Sequence, residues 1–191
     1  MRQAGYAVPE PVEQSLHAYL QTLLRRDVMP EFYSKGMSST VRAVALAALA
    51  PHGRLTQLDV SRYRRHVPQM SLFGKAHYLL ALTDIPNTAA LQQDVMRLIQ
   101  AHGNETGGKF VFSETVDTSY ARLLASPLRS NCAILSAFLA YQKGDEETHS
   151  DIPFKLTRMI TQSRKNRSHW ENTQENMFCM QALIAFSQAY E

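Results

Sequence analysis

Three stretches of this chain, VRAVALAALA (41–50), NCAILSAFLAY (131–141) and NMFCMQALIAF (176–186), have helical character and are apolar almost all the way round. The first carries a single charge. The second has Asn131 and Ser136 as its polar side chains, the third Asn176 and Gln181. A helix with no wet face must be covered on most sides. Between these runs lie ordinary amphipathic segments, with one apolar stripe each: Val12, Leu16, Tyr19, Leu20 and Leu23; Leu91, Val95, Leu98 and Ile99; Leu156, Met159 and Ile160. Buried and half-buried helices taking turns predict two layers, an inner set wrapped by an outer one. The three apolar runs can also be laid over one another with Thr40, Asn131 and Asn176 in register, a weak internal repeat of helix pairs. Stacked helix pairs make an open solenoid or a closed ring, and inner helices without a wet face favour the ring.

Start and stop signals divide the chain into about nine helices, near 10–26, 39–50, 56–66, 71–83, 88–101, 115–124, 127–142, 151–164 and 172–190. Thr56 with Asp59, Asn87 after Pro86, Ser126 before Pro127, and Asn172 with Glu175 offer acceptors to free amide groups at helix starts. Gly53, Gly103 and Gly144 suit the left-handed position after a helix. GKFVFSETV (108–116) alternates briefly after Gly107-Gly108 and predicts a short β-hairpin arm. The fold class expected is all-α, an α/α toroid of inner and outer helical hairpins. Its 191 residues suit one domain, 1–191.

Composition excludes little. The chain is 45% hydrophobic and 19% charged with net charge +3, and its N-terminal MRQAGYAVPEPVEQ lacks the apolar centre of a signal peptide and reads as a linker inside a larger protein. No apolar run is long enough to insert into a membrane. Basic clusters at SRYRRH (61–66) and QSRKNRSHW (162–170) read as solvated faces rather than a nucleic-acid surface. Cys132 and Cys179 sit in apolar runs and read as buried thiols acting as small hydrophobes, ahead of a disulfide or a nucleophile. Histidines 17, 52, 66, 77, 102, 149 and 169 form no local ligand motif. GNETGGKF (103–110) lacks phosphate-loop spacing, and no pair of inward carboxylates suggests a glycosidase. No enzyme, cofactor or metal is expected.

Two stretches carry a family resemblance. Ser126-Pro127-Leu128-Arg129-Ser130-Asn131 and Trp170-Glu171-Asn172-Thr173-Gln174-Glu175-Asn176, in that order and each opening an inner helix, resemble the thioester-containing domain of bacterial α2-macroglobulins. The match covers roughly residues 110–191, with a looser likeness over 4–21. The resemblance implies an α/α toroid, here lacking its N-terminal helices, within a large multidomain periplasmic protease trap. The partners implied are proteases and other domains of the same parent. The family's Cys-x-x-Gln thioester is absent: Cys132 is followed at that spacing by Leu135 and Cys179 by Ala182. The alternative is a thioester-less homologue that docks partners such as cell-wall synthesis enzymes without a covalent bond. In the motif, Asn172 is expected to cap the helix while Glu175 bonds back to the cap's N–H. Gln174 and Asn176 are expected to tie loop backbone at one rim, with Trp170 plugging it. An incomplete ring leaves apolar surface at its seam, so self-association or marginal stability is expected of the isolated chain.

Overall fold

The computed structural model describes residues 7–26, 29–143 and 150–190. The described residues are all-α with one short hairpin. Its elements are α1 (Glu10–Arg25), α2 (Lys35–Leu49), a short α3 (Gln57–Ser61), α4 (Leu72–Thr83) and α5 (Ala89–Gln100). The hairpin β1 (Gly103–Thr106) and β2 (Lys109–Phe112) follows, then α6 (Pro127–Gln142), α7 (Ile152–Gln162) and α8 (Thr173–Tyr190). Helices α2, α4, α6 and α8 pack side by side in that order, and α1 lies on α2, α5 on α4, and α7 on α6 and α8. This is the alternation that the hydrophobic pattern predicts.

Helix starts follow local chemistry. Ser34, Ser71 and Ser126 accept the amides of Met37 (3.2 Å), Gly74 (3.2 Å) and Arg129 (3.1 Å), and Thr56 with Asp59 forms a reciprocal capping box. Each such cap stabilises its helix by about 1 kcal/mol. Close approach of α2 and α4 requires Gly74, where a Cβ would sit 2.8 Å from Thr40 Oγ1 and 3.0 Å from Thr40 Cα. The hairpin turns on Gly107 and Gly108, both at positive φ (60° and 70°), the geometry that matches a two-residue loop to strand twist.

Several expectations need correction. The predicted helix 115–124 is a 3₁₀ segment (Thr118–Leu123), ended by Leu124 in the left-handed region. The run 56–66 divides into α3 and a second 3₁₀ segment, Arg64–Gln69, which contains Pro68. Asn87, with φ 60°, is a turn residue, and Thr88 precedes α5. Gly53 does adopt the left-handed position, whereas Gly103 opens β1 with the ring of Phe110 against it; Gly144 lies outside the described residues. The hairpin occupies 103–112, so its first strand precedes the stretch singled out from sequence.

Two helices are covered differently from expectation. The stripe of α1 faces the core only in part: Val12, Leu16 and Tyr19 are 59%, 53% and 56% exposed, Leu20 and Leu23 are half-buried, and His17 is the buried residue. Helix α8 buries Glu175, Cys179 and Ala182, while Met177, Met180 and Ile184 stay about half exposed. It stands last in the inner row, so the coverage expected of a helix with no wet face is realised in α6 and largely in α2, and also in α4. Helix α4 escaped that class because Lys75 and His77 look polar, yet both are buried.

The cysteines are also reassigned. Cys132 and Cys179 form a disulfide between α6 and α8, with Cα atoms 4.8 Å apart. They lie 47 residues apart among apolar neighbours, so nothing local announces the pairing; it exists because the second turns of α6 and α8 meet face to face.

Candidate functional site

The four inner helices begin at one end of the molecule, and their starts are tied into one rim. Thr40 of α2 accepts the Ser71 amide (3.0 Å) at the cap of α4. Between α4 and α6, the Arg129 guanidinium lies 4.0 Å from the centroid of the Phe73 ring. Between α6 and α8, the Ser126 hydroxyl donates to Glu175 (2.7 Å), and Arg129 donates to the side-chain oxygen of Gln174 (3.2 Å) and to the Leu123 carbonyl. The two motif segments, 45 residues apart at Asn131 and Asn176, are therefore one connected structure.

The register positions share a task. Asn131 receives the Phe112 amide (2.8 Å) and donates to the Phe112 and Pro127 carbonyls (both 2.9 Å). Asn176 receives the Trp170 amide (3.1 Å) and donates to Trp170 (3.3 Å) and Asn172 (2.7 Å). With Thr40 holding Ser71, each grips the backbone of a segment crossing the rim. An amide does this because it carries donor and acceptor together. Trp170 is buried as expected, its indole N–H donating to Ser163 (2.9 Å). Asn172 accepts the Glu175 amide (2.9 Å), but Glu175 returns its bond to the Glu171 amide (3.1 Å), one residue before the cap, because its other oxygen is held by Ser126. Pro127 opens α6, and Thr173 opens α8 and is exposed.

Between the starts of α4 and α6 lies a small cavity of about 100 Å³, bordered by Phe73, Phe112, Glu114, Tyr120 and Arg129. Both Glu114 oxygens accept from the Leu72 amide (2.9 and 2.8 Å), placing a carboxylate at the positive end of α4. Burial nonetheless raises its pKa, offset by that amide and by Lys75 and His102. Burial lowers Lys75, which donates to the Met70 carbonyl, and lowers Arg129 to about 10, so Arg129 stays cationic at neutral pH. His77 is brought down to about 4, by burial first and then by Arg129, against the hydrogen bond to Phe73. A carbonyl only accepts, so the proton of neutral His77 is on Nδ1, 2.9 Å from that oxygen. Phe73, His77 and Phe178 pack ring to ring beneath Arg129. The cluster fixes helix starts against each other and presents a buried cation at the rim.

A second feature lies between α1, α2 and α3. Arg25, Arg26, Arg42, Arg54, Arg62 and Arg65 line a cleft of about 670 Å³ in which Asp59 is the one acid among the lining residues. The exposed cluster 61–66 thus supplies two of the six arginines, Arg62 and Arg65, of a concave basic surface. Its partners come from three other segments, which is why composition alone conceals it. Burial, with Arg65 and Arg42 nearby, holds His66 below the usual histidine value.

His77, Glu114 and the cleft arginines are absent from the sequence-derived motif. A histidine and a lysine inside an otherwise apolar α4 segment were the available signal for the first. Among the described residues no helix is long and apolar enough to cross a membrane. No family model matches the chain, and no curated protein or solved structure does.

Proposed function

We propose that this chain supplies the toroid scaffold of a thioester-type domain in an α2-macroglobulin-like protease trap, itself carrying no thioester and no enzymatic activity. The observation that carries the reading is the rim: Ser126 and Arg129 bond across to Glu175 and Gln174, while Asn131 and Asn176 each hold the loop backbone beside their own helix, so both family-like motifs meet at the helix starts. The alternation of inner and outer helices supports it. The Cys132–Cys179 bridge supports a periplasmic setting, since such bonds persist in oxidising compartments. The bridge also commits both cysteines, so any thioester sulfur comes from elsewhere in the parent.

The test is thiol titration of the intact gene product before and after methylamine, with denaturing electrophoresis after mixing with endopeptidases. One new thiol, and a protease adduct abolished by methylamine pretreatment, is the expected result. Neither a new thiol nor an adduct removes the covalent reading.

The arginine-lined cleft favours a second reading, a non-covalent interaction module that takes an acidic segment of a partner protein. Guanidinium groups suit carboxylates through paired, planar hydrogen bonds. Acidic peptides then bind with affinity that falls steeply with salt, and R62E/R65E abolishes binding. Salt-independent binding, or none, removes this reading.

A further inference from the structure

The first half of helix α1 turns a polar face inward. Val12, Leu16 and Tyr19 stand more than half exposed, while His17 is 7% exposed and Glu13 is half-buried. Leaving three large apolar side chains in water and covering an imidazole and a carboxylate opposes the hydrophobic preference. Glu13 and His17 are one helical turn apart and project from one face of α1. His52 meets them from the 3₁₀ turn that closes α2, its direction set by Gly53 in the left-handed region (φ 63°). His52 Nδ1 is 3.4 Å from a Glu13 carboxylate oxygen, and the two imidazole rings are 4.6 Å apart between centroids. One ligand atom from each of the three residues lies within 4.8 Å of the other two.

We propose that Glu13, His17 and His52 bind a divalent transition-metal ion, zinc foremost, that fastens α1 to the end of α2. Zinc at bond lengths of 2.0–2.1 Å spaces tetrahedral ligand atoms about 3.3 Å apart. The Glu13–His52 separation already has that value. The other separations, all within 4.8 Å, shorten to that spacing through side-chain rotations of Glu13, His17 and His52, the last being 38% exposed. Two imidazoles and one carboxylate are a donor set that favours zinc and its late first-row neighbours over magnesium or calcium. The solvent side of His52 leaves a fourth position for water. The site explains the orientation of α1: the ligands face α2, and the apolar stripe is carried outward with the same rotation. Tyr63, donating to the Leu24 carbonyl (2.7 Å), and Arg42, donating to the Arg26 carbonyl (2.6 Å), fix the other end of the helix.

The test uses the full chain, stripped with a chelator and titrated with zinc by calorimetry and against a chromogenic chelator. Cobalt absorption supplies a second readout. One zinc per chain with a micromolar or tighter Kd is expected, together with a rise in Tm and a tetrahedral cobalt spectrum. H52A, at the exposed member of the set, and H17A each weaken binding at least about tenfold, as loss of a ligand from a three-ligand site requires. H102A, at a histidine remote from α1, leaves binding unchanged. The proposal is overturned by an absence of stoichiometric binding, or by binding that H52A and E13Q do not weaken. In that case the three side chains are a polar contact between α1 and the end of α2 and nothing more.

Discussion

The Ser126 hydroxyl donates to Glu175 across 49 residues of sequence, so the cap of α6 is locked to the first turn of α8. Glu175 is buried and its second oxygen holds the Glu171 amide, leaving both oxygens engaged. S126A loses a cap and this bond and should destabilise by about 1–2 kcal/mol. E175A strands two donors and should cost more. A double-mutant cycle by urea denaturation should give a coupling energy of about 1–2 kcal/mol. Strictly additive effects would mean the contact contributes nothing.

The Cys132–Cys179 bridge closes a loop spanning 47 residues. Loop-closure entropy assigns such a bridge about 4 kcal/mol, an upper figure for natural cases. Reduction, or C132A/C179A, should therefore lower Tm clearly without changing helix content by circular dichroism. The denatured chain should show no thiols until reductant is added, and then two.

Stability should fall with acid because of His77. Its folded pKa, about 4, lies below the ordinary value of 6.5, so between these values the unfolded chain binds a proton that the folded chain refuses. The stabilisation is complete above pH 6.5 and is lost as pH drops toward 4, about 3 kcal/mol in all. Glu114 acts oppositely: its raised pKa makes the folded form the better proton binder as pH rises past the unfolded value. The comparison that isolates His77 is H77L against wild type across this range. The variant should be flatter. Parallel pH profiles would place the acid sensitivity in other groups.

Asn131 and Asn176 perform the same backbone grip at different depths, the first 1% exposed and the second half-buried. Stranding the Phe112 amide and carbonyl away from water is costly, so N131A should destabilise by about 2–4 kcal/mol. N176A should cost about 1 kcal/mol, because the Asn176 bonds to Trp170 are only partly buried. Equal effects would show that depth does not govern the cost.

Much of the architecture is legible in the sequence because it rests on local chemistry. The caps at Ser126 and Asn172, the apolar run of α6 and the amide grip of Asn176 are all set within a few residues. What escapes depends on distant meetings. Glu13 and His17 meet His52 only in the folded chain, the disulfide joins two helices that touch only when folded, and the arginine cleft gathers segments spread over residues 25–65. Helix α4 misleads for a different reason: burial keeps His77 neutral, and Lys75 donates to the Met70 carbonyl, so polar letters stand at interior positions.

The bridge between α6 and α8 has a mechanical consequence. A tensile load applied to the two ends of the chain passes through the sulfur atoms and bypasses everything between Cys132 and Cys179. Residues 133–178, including α7 and the Trp170 segment, bear no tension, and roughly 160 Å of contour stays withheld from extension. A reductant would release that length, turning a short stiff tether into a long one without cutting the chain.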